Sequence, residues 1–135
     1  LPEVTMERFP DIEIYLARLD ADAIENWLQT ALEDAELQLK RTGKGIWRAN
    51  ATCGGRRVGI MLVERAADGF ASLWFDCDAT PWPRDTDCAR DAARALACEA
   101  RCSLGGWQPG DDPDRFWQVL PDGQEATIDW PDSGQ

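Results

Sequence analysis

The apolar and polar positions of this chain fall into ten short periodic segments. Ile12, Ile14 and Leu16 alternate with Glu13, Tyr15 and Ala17, the two-residue period of a strand. Asp20 is placed as an N-cap before Ile24, Trp27, Leu28, Ala31 and Leu32, whose helical spacing makes one apolar stripe. The opposite positions, Asp22, Glu25, Asn26, Gln29 and Glu33, read as a solvated face. Alternation resumes where Ala35, Leu37 and Leu39 interleave with Glu36, Gln38 and Lys40, predicting a second strand that ends at the turn Thr42-Gly43-Lys44-Gly45.

Two longer runs follow, Gly45 to Cys53 and Arg57 to Glu64, joined by Gly54-Gly55, a dipeptide suited to the positive φ angles of a hairpin turn. Val58, Ile60 and Leu62 point one way and Met61 and Val63 the other. A strand that is apolar on both faces belongs inside a sheet. Asp68-Gly69 turns the chain into the strand Phe70 to Phe75, which stops at Asp76 and Asp78 and passes through Thr80-Pro81-Trp82-Pro83. An alanine-rich helix is predicted from Asp85 or Thr86 to about Ala97, with Ala89, Ala92, Ala93 and Leu96 on one face. Ala100 to Leu104 reads as a strand broken by Gly105-Gly106, and Pro109 to Pro113 as a surface loop. Phe116 to Leu120 and Ala126 to Trp130 flank Pro121-Asp122-Gly123, a turn signal that makes a closing hairpin. Residues 1–10 form an irregular lead-in and 131–135 a frayed tail, and the whole chain is expected to be one domain.

These elements predict an α+β fold of about eight mostly antiparallel strands with two helices on one face. Their order is β-α-β-β-β twice over. GIWRANATCGGRRVGI and RFWQVLPDGQEATID each carry a Trp at the third position, Trp47 and Trp117, before a Gly-containing turn, so an internal duplication is expected. Two such modules resemble the vicinal-oxygen-chelate proteins, a likeness of element order alone. The metal enzymes among them use His and Glu on their strands, whereas this chain has no His, so the resemblance implies a metal-free, ligand-binding member.

Composition narrows the function classes. A chain of 135 residues buries enough surface for a core without staples. No apolar run approaches the roughly 18–20 residues of a membrane helix, and residues 1–10 lack the basic start and apolar segment of a leader, which suggests the cytoplasm. Five cysteines, Cys53, Cys77, Cys88, Cys98 and Cys102, form an odd number without a CxxC pair, arguing for free thiols and against a disulfide framework or zinc. Seven Trp against one Tyr require several indoles to find both an apolar pocket and an N–H partner. Twelve Arg against two Lys, with abundant Ala and Asp, resembles the compositional bias of a GC-rich genome, and a bacterial source is expected.

The net charge of −11 is unevenly spread. Residues 1–40 carry 3 basic and 10 acidic groups, 41–65 carry 6 and 1, and 66–135 carry 5 and 14. Such a body repels phosphate backbones, so nucleic acid is disfavoured outside the central basic hairpin.

Candidate chemistry concentrates between Trp74 and Asp87. Asp76-Cys77-Asp78-Ala79-Thr80 after Leu73-Trp74-Phe75 resembles the DxDxT motif of haloacid-dehalogenase-type phosphatases. The resemblance implies that Asp76 is a phosphoryl-accepting nucleophile and Asp78 an acid-base and magnesium-side group, with Asp111 and Asp112 as downstream metal carboxylates. That fold needs parallel strands alternating with helices, whereas residues 35–75 read as hairpins. Without His, the usual serine or cysteine nucleophile lacks its base.

No catalytic residue, metal or cofactor is therefore assigned. The leading expectation is a non-catalytic acidic protein that binds a basic partner protein, as inhibitors, immunity proteins and secretion chaperones do. Its docking edge would carry Asp76, Asp78, Asp85 and Asp87, with Trp82 as an exposed anchor. The alternative is a small-molecule binder or carboxylate-based enzyme with a cleft of Trp74, Trp82, Trp107 and Trp117. A homodimer is a further option for the partner.

Overall fold

The computed structural model describes residues 8–104 and 113–131. Eight strands and two helices run in the order β1 (Ile12–Leu16), α1 (Ala21–Ala31), β2 (Lys40–Gly43), β3 (Ile46–Cys53), β4 (Arg56–Ala67), β5 (Phe70–Phe75), α2 (Asp85–Leu96), β6 (Ala100–Ser103), β7 (Arg115–Val119) and β8 (Glu125–Asp129). They form one eight-stranded sheet, ordered β2-β3-β4-β5-β1-β6-β7-β8, in which every pairing is antiparallel. The expected α+β class is what the chain adopts. None of the described strand pairings is the parallel kind that a phosphatase sheet of this type needs.

Local chemistry explains most boundaries. Asp20 caps α1 by accepting a hydrogen bond from Ala23 N–H at 3.1 Å, satisfying one of the free donors of the first turn. Gly54 and Gly55 both have positive φ, 59° and 81°, which lets a two-residue turn place Cys53 directly opposite Arg56. At the start of α2 the Asp87 carboxylate accepts from Arg84 N–H at 3.1 Å, and Ala97, at φ 51°, ends the helix in the left-handed conformation.

Ile24, Trp27 and Leu28 of α1 and Cys88, Ala89, Ala92, Ala93 and Leu96 of α2 join the same buried cluster as Ile12, Ile14, Leu62, Leu73 and Phe75. Both helices therefore lie on one face of the sheet. The small side chains of α2 let it settle against β1 and β6. Among the described residues the opposite face carries no helix, and a smaller cluster of Tyr15, Ala67, Phe116 and Trp130 is buried there.

Two expectations need correction. The predicted strand from Ala35 begins only at Lys40. Between them the main chain is held by helix side chains: Gln29 Nε2 donates to Leu37 O at 2.8 Å, and Glu25 accepts from Leu39 N–H at 2.9 Å. Leu37 is still buried, so its apolar position was real while its strand geometry was not. The element order does repeat, but the two halves are not placed equivalently. β4 is the strand of its trio nearest the sheet centre and β2 the edge, whereas β6 is innermost and β8 the edge, so exchanging the halves does not map the sheet onto itself.

The expected loop from Pro109 to Pro113 lies mostly outside the described residues, as do Trp107, Asp111, Asp112 and parts of both termini.

Candidate functional site

The acidic edge is built from side chains that already have partners. Beyond the last β4–β5 pair, Ile60 with Phe75, Asp76 continues the ladder by other means. Its N–H donates to Gly59 O at 3.0 Å, and its carboxylate accepts from Gly59 N–H at 2.8 Å. A Cβ at position 59 would collide with that carboxylate, lying 2.8 Å from its Cγ, which is why glycine stands there. Asp78 pairs with Arg56 at 2.9 Å in an exposed bridge, and the Arg8 guanidinium ties down the Asp78 and Thr80 carbonyls at 2.8 and 2.7 Å. Asp87 is bridged by Arg84 and Arg90.

Trp82 is not an exposed anchor. It is 5% exposed, packed against Trp27 and Phe75 with ring centroids 5.3 Å away in each case, and its indole N–H donates to Asp91 at 2.9 Å. The Pro81-Trp82-Pro83 bend folds inward because the indole fills the gap between α1, α2 and the end of β5. Asp85 is not exposed either, at 8%. β1 and β6 pair only at Tyr15 with Arg101 and Leu16 with Ala100. Where they stop pairing, the Asp85 carboxylate accepts from Glu13 N–H at 3.1 Å and takes a hydrogen bond from the Ser103 side chain. Burial is the main force lifting its pKa to about 7. The Glu13 N–H bond opposes the rise, the charges of Asp11 and Glu13 add to it, and the Ser103 bond again opposes it. Burial also raises Glu13, against its bond from Tyr15 and with the help of Asp11.

The expected Trp cleft does not assemble. Trp82 is on the helix side, in contact with Phe75. Trp74, one residue earlier, faces the other side between Met61 and Glu13. Trp117 lies beyond β6, opposite Cys102, with its N–H on Glu125 at 2.7 Å. Trp107 lies outside the described residues.

A groove was missed by the sequence reading. It occupies the helix-free face across β3, β4 and β5, with a volume of about 230 Å³, and is lined by Arg48, Asn50, Arg57, Gly59, Met61, Trp74 and Asp76 among others. Register creates it. Arg48, Met61 and Trp74 stand side by side in one cross-strand row, and in the next row Gly59, opposite Asn50, has no side chain of its own and is covered by the Asp76 carboxylate. The Arg57 guanidinium is held by Asn50 Oδ1 at 2.6 and 3.1 Å, and the Trp74 indole N–H by Asp11 at 2.9 Å. The signal in the sequence was the second apolar face of β4.

Among the described residues no group of three or more His, Cys, Asp or Glu is arranged to hold a metal ion, and no helix is long and apolar enough to cross a membrane. No protein-family model, curated protein or solved structure matches the chain.

Proposed function

We propose that this chain is a non-catalytic binding protein whose working surface is the sheet face that no helix covers, centred on β3, β4 and β5. The carrying observation is the row Arg48, Met61, Trp74. It combines a guanidinium that no described residue engages with two half-buried apolar side chains, one held in place by a hydrogen bond to Asp11. Ile46 and Val63 extend the half-buried apolar surface on the same face. Side chains of this mixture supply anchor and orientation at recognition surfaces. The non-catalytic part is supported by Asp76 and Asp78, whose pattern resembled a phosphatase: one carboxylate is engaged by a main-chain N–H and the other by an arginine. The five thiols, none in a disulfide, suit a cytoplasmic setting.

A second reading keeps a basic partner protein and moves its docking surface. Asp22, Glu33 and Glu36 are exposed beside α1 and have no ion pair among the described residues, in a chain of net charge −11. Charge of that kind steers association.

Affinity capture from the native host with three baits tests both readings. Met61→Glu should lose the species that the wild type retains, while Asp22→Lys should keep it. Loss with Asp22→Lys alone would transfer the working surface to α1 and overturn the first reading. A self-associated form that Met61→Glu disperses would identify the occupant as a second copy of the chain.

A further inference from the structure

The groove's chemistry narrows what it can hold. Arg48 presents all five guanidinium N–H donors without a described acceptor. Arg57 gives Nε and one Nη2 hydrogen to Asn50, leaving three donors free. The only carboxylate in the lining, Asp76, is engaged through one oxygen by Gly59 N–H. Two guanidiniums against one carboxylate in the lining make the Arg48–Arg57 end of the groove positive, while Asp11 and Glu13 flank its Trp74 end, on a chain whose overall charge is −11. Its apolar part is the Trp74 indole, held by Asp11, beside the unbranched Met61 side chain; the space over the neighbouring Gly59 is taken by the Asp76 carboxylate. The volume, about 230 Å³, is below the roughly 300 Å³ at which drug-sized sites begin.

We infer that this groove binds a small aromatic carboxylate, one ring or a fused pair, with its carboxylate on Arg48 and Arg57 and its ring against Trp74 and Met61. This inference rests on the helix-free face being the working surface. Planar guanidiniums match a carboxylate through paired N–H bonds, and an indole already held by a hydrogen bond needs less ordering to pack on a second ring. A cationic ligand would meet two like charges. A phosphate without a ring would leave the apolar floor unused.

Titration of the ¹⁵N-labelled protein with benzoate, indole-3-acetate, cyclohexanecarboxylate, inorganic phosphate and benzylamine tests it. The two aromatic carboxylates should shift the Trp74 indole N–H signal saturably. Cyclohexanecarboxylate should bind at least several-fold more weakly, and phosphate and benzylamine should not saturate. Arg48→Ala and Arg57→Ala should each weaken indole-3-acetate about tenfold or more with an unchanged melting temperature, whereas Arg94→Ala on the exposed side of α2 should have no effect. Phosphate binding as tightly as indole-3-acetate, or shifts that ignore both arginine substitutions, would overturn the inference. If no probe binds while Met61→Glu still abolishes partner capture, the aromatic-carboxylate inference fails and the broader reading of the face stands. If the probes bind and capture is insensitive to Met61→Glu, the groove's ligand stands and the partner surface fails.

Discussion

Asp85 accepts a hydrogen bond from the main-chain N–H of Glu13 at 3.1 Å, so a carboxylate from the first turn of α2 occupies the place where a strand partner would serve β1. A carboxylate there must be either desolvated or protonated, and burial lifts its pKa from 3.8 to about 7. The charged groups facing it from the packed elements are Asp11 and Glu13, both of the same sign. Between about pH 4 and pH 7 the folded protein holds a proton at Asp85 that the unfolded chain has released. Folding is therefore linked to proton uptake, and the contribution of Asp85 to stability falls as pH rises through that window. Glu13, raised in the same direction, adds to the slope.

Asp85→Asn should flatten that slope. The amide still accepts from Glu13 N–H and can donate to the Ser103 hydroxyl, without the burial penalty of the charge. Urea denaturation at pH 5 and pH 8 checks this. The wild type should lose stability between the two, by on the order of 1–3 kcal/mol, and the variant should lose clearly less while being the more stable protein at pH 8. Equal slopes would remove Asp85 as the titrating group.

Gly59 and Asp76 form a coupled pair. Gly59→Ala should displace the Asp76 carboxylate from the main-chain N–H and cost about 1–2 kcal/mol. With Asp76 already changed to Ala, the same substitution no longer meets the carboxylate, and replacing a strand glycine then gains about 0.5–1 kcal/mol. Reversal of sign between the two backgrounds is the measured signature. Additive losses would mean that the glycine answers to something other than Asp76.

Gly54-Gly55 and Asp68-Gly69 were legible as hairpin turns because positive φ is a local demand, met in the structure at all four positions. The faces of α1 and α2 were legible because periodicity is local as well. Residues 35–39 were misread since alternation also suits an irregular segment held by Gln29 and Glu25. The positions of Trp82 and Asp85 depend on partners distant in the chain. A tryptophan between two prolines looks like a surface loop until Trp27 and Phe75 close over it, and an acid in the first turn of a helix is ordinarily solvated. The groove was hidden for a different reason: Arg48, Met61 and Trp74 meet only through strand register, which no single segment specifies.

The thiols should divide into two classes in the folded protein. Cys53 and Cys77 are partly exposed, while Cys88, Cys98 and Cys102 are buried. Burial raises Cys88 well above the ordinary thiol range, with Asp85 and Asp91 adding to the shift, and raises Cys102 as well. Reaction with a disulfide reagent at pH 8 should modify Cys77 first, Cys53 more slowly because partial burial and the Glu33 charge raise its pKa, and the other three at the rate of unfolding. Rapid labelling of Cys88 or Cys102 would show that the contact between α2 and β6 opens under native conditions.

The last prediction separates two indoles that touch. Trp27 and Trp82 pack with centroids 5.3 Å apart and have similar burial, at 7% and 5% exposed. Trp82 donates to Asp91 at 2.9 Å, whereas Trp27 Nε1 is buried with no acceptor among the described residues. Removing either indole for phenylalanine loses packing, and truncating either to alanine should cost about 3–5 kcal/mol. The polar parts differ in sign. Trp82→Phe discards a satisfied hydrogen bond and returns Asp91 to its single bridge with Arg94, while Trp27→Phe removes a donor whose desolvation was never compensated. Trp27→Phe should therefore be the milder change by about 1–2 kcal/mol, measured from paired denaturation curves with equal m-values. A costlier Trp27→Phe would require an acceptor for that indole, and the outlying segments of the chain would be the place to look for it.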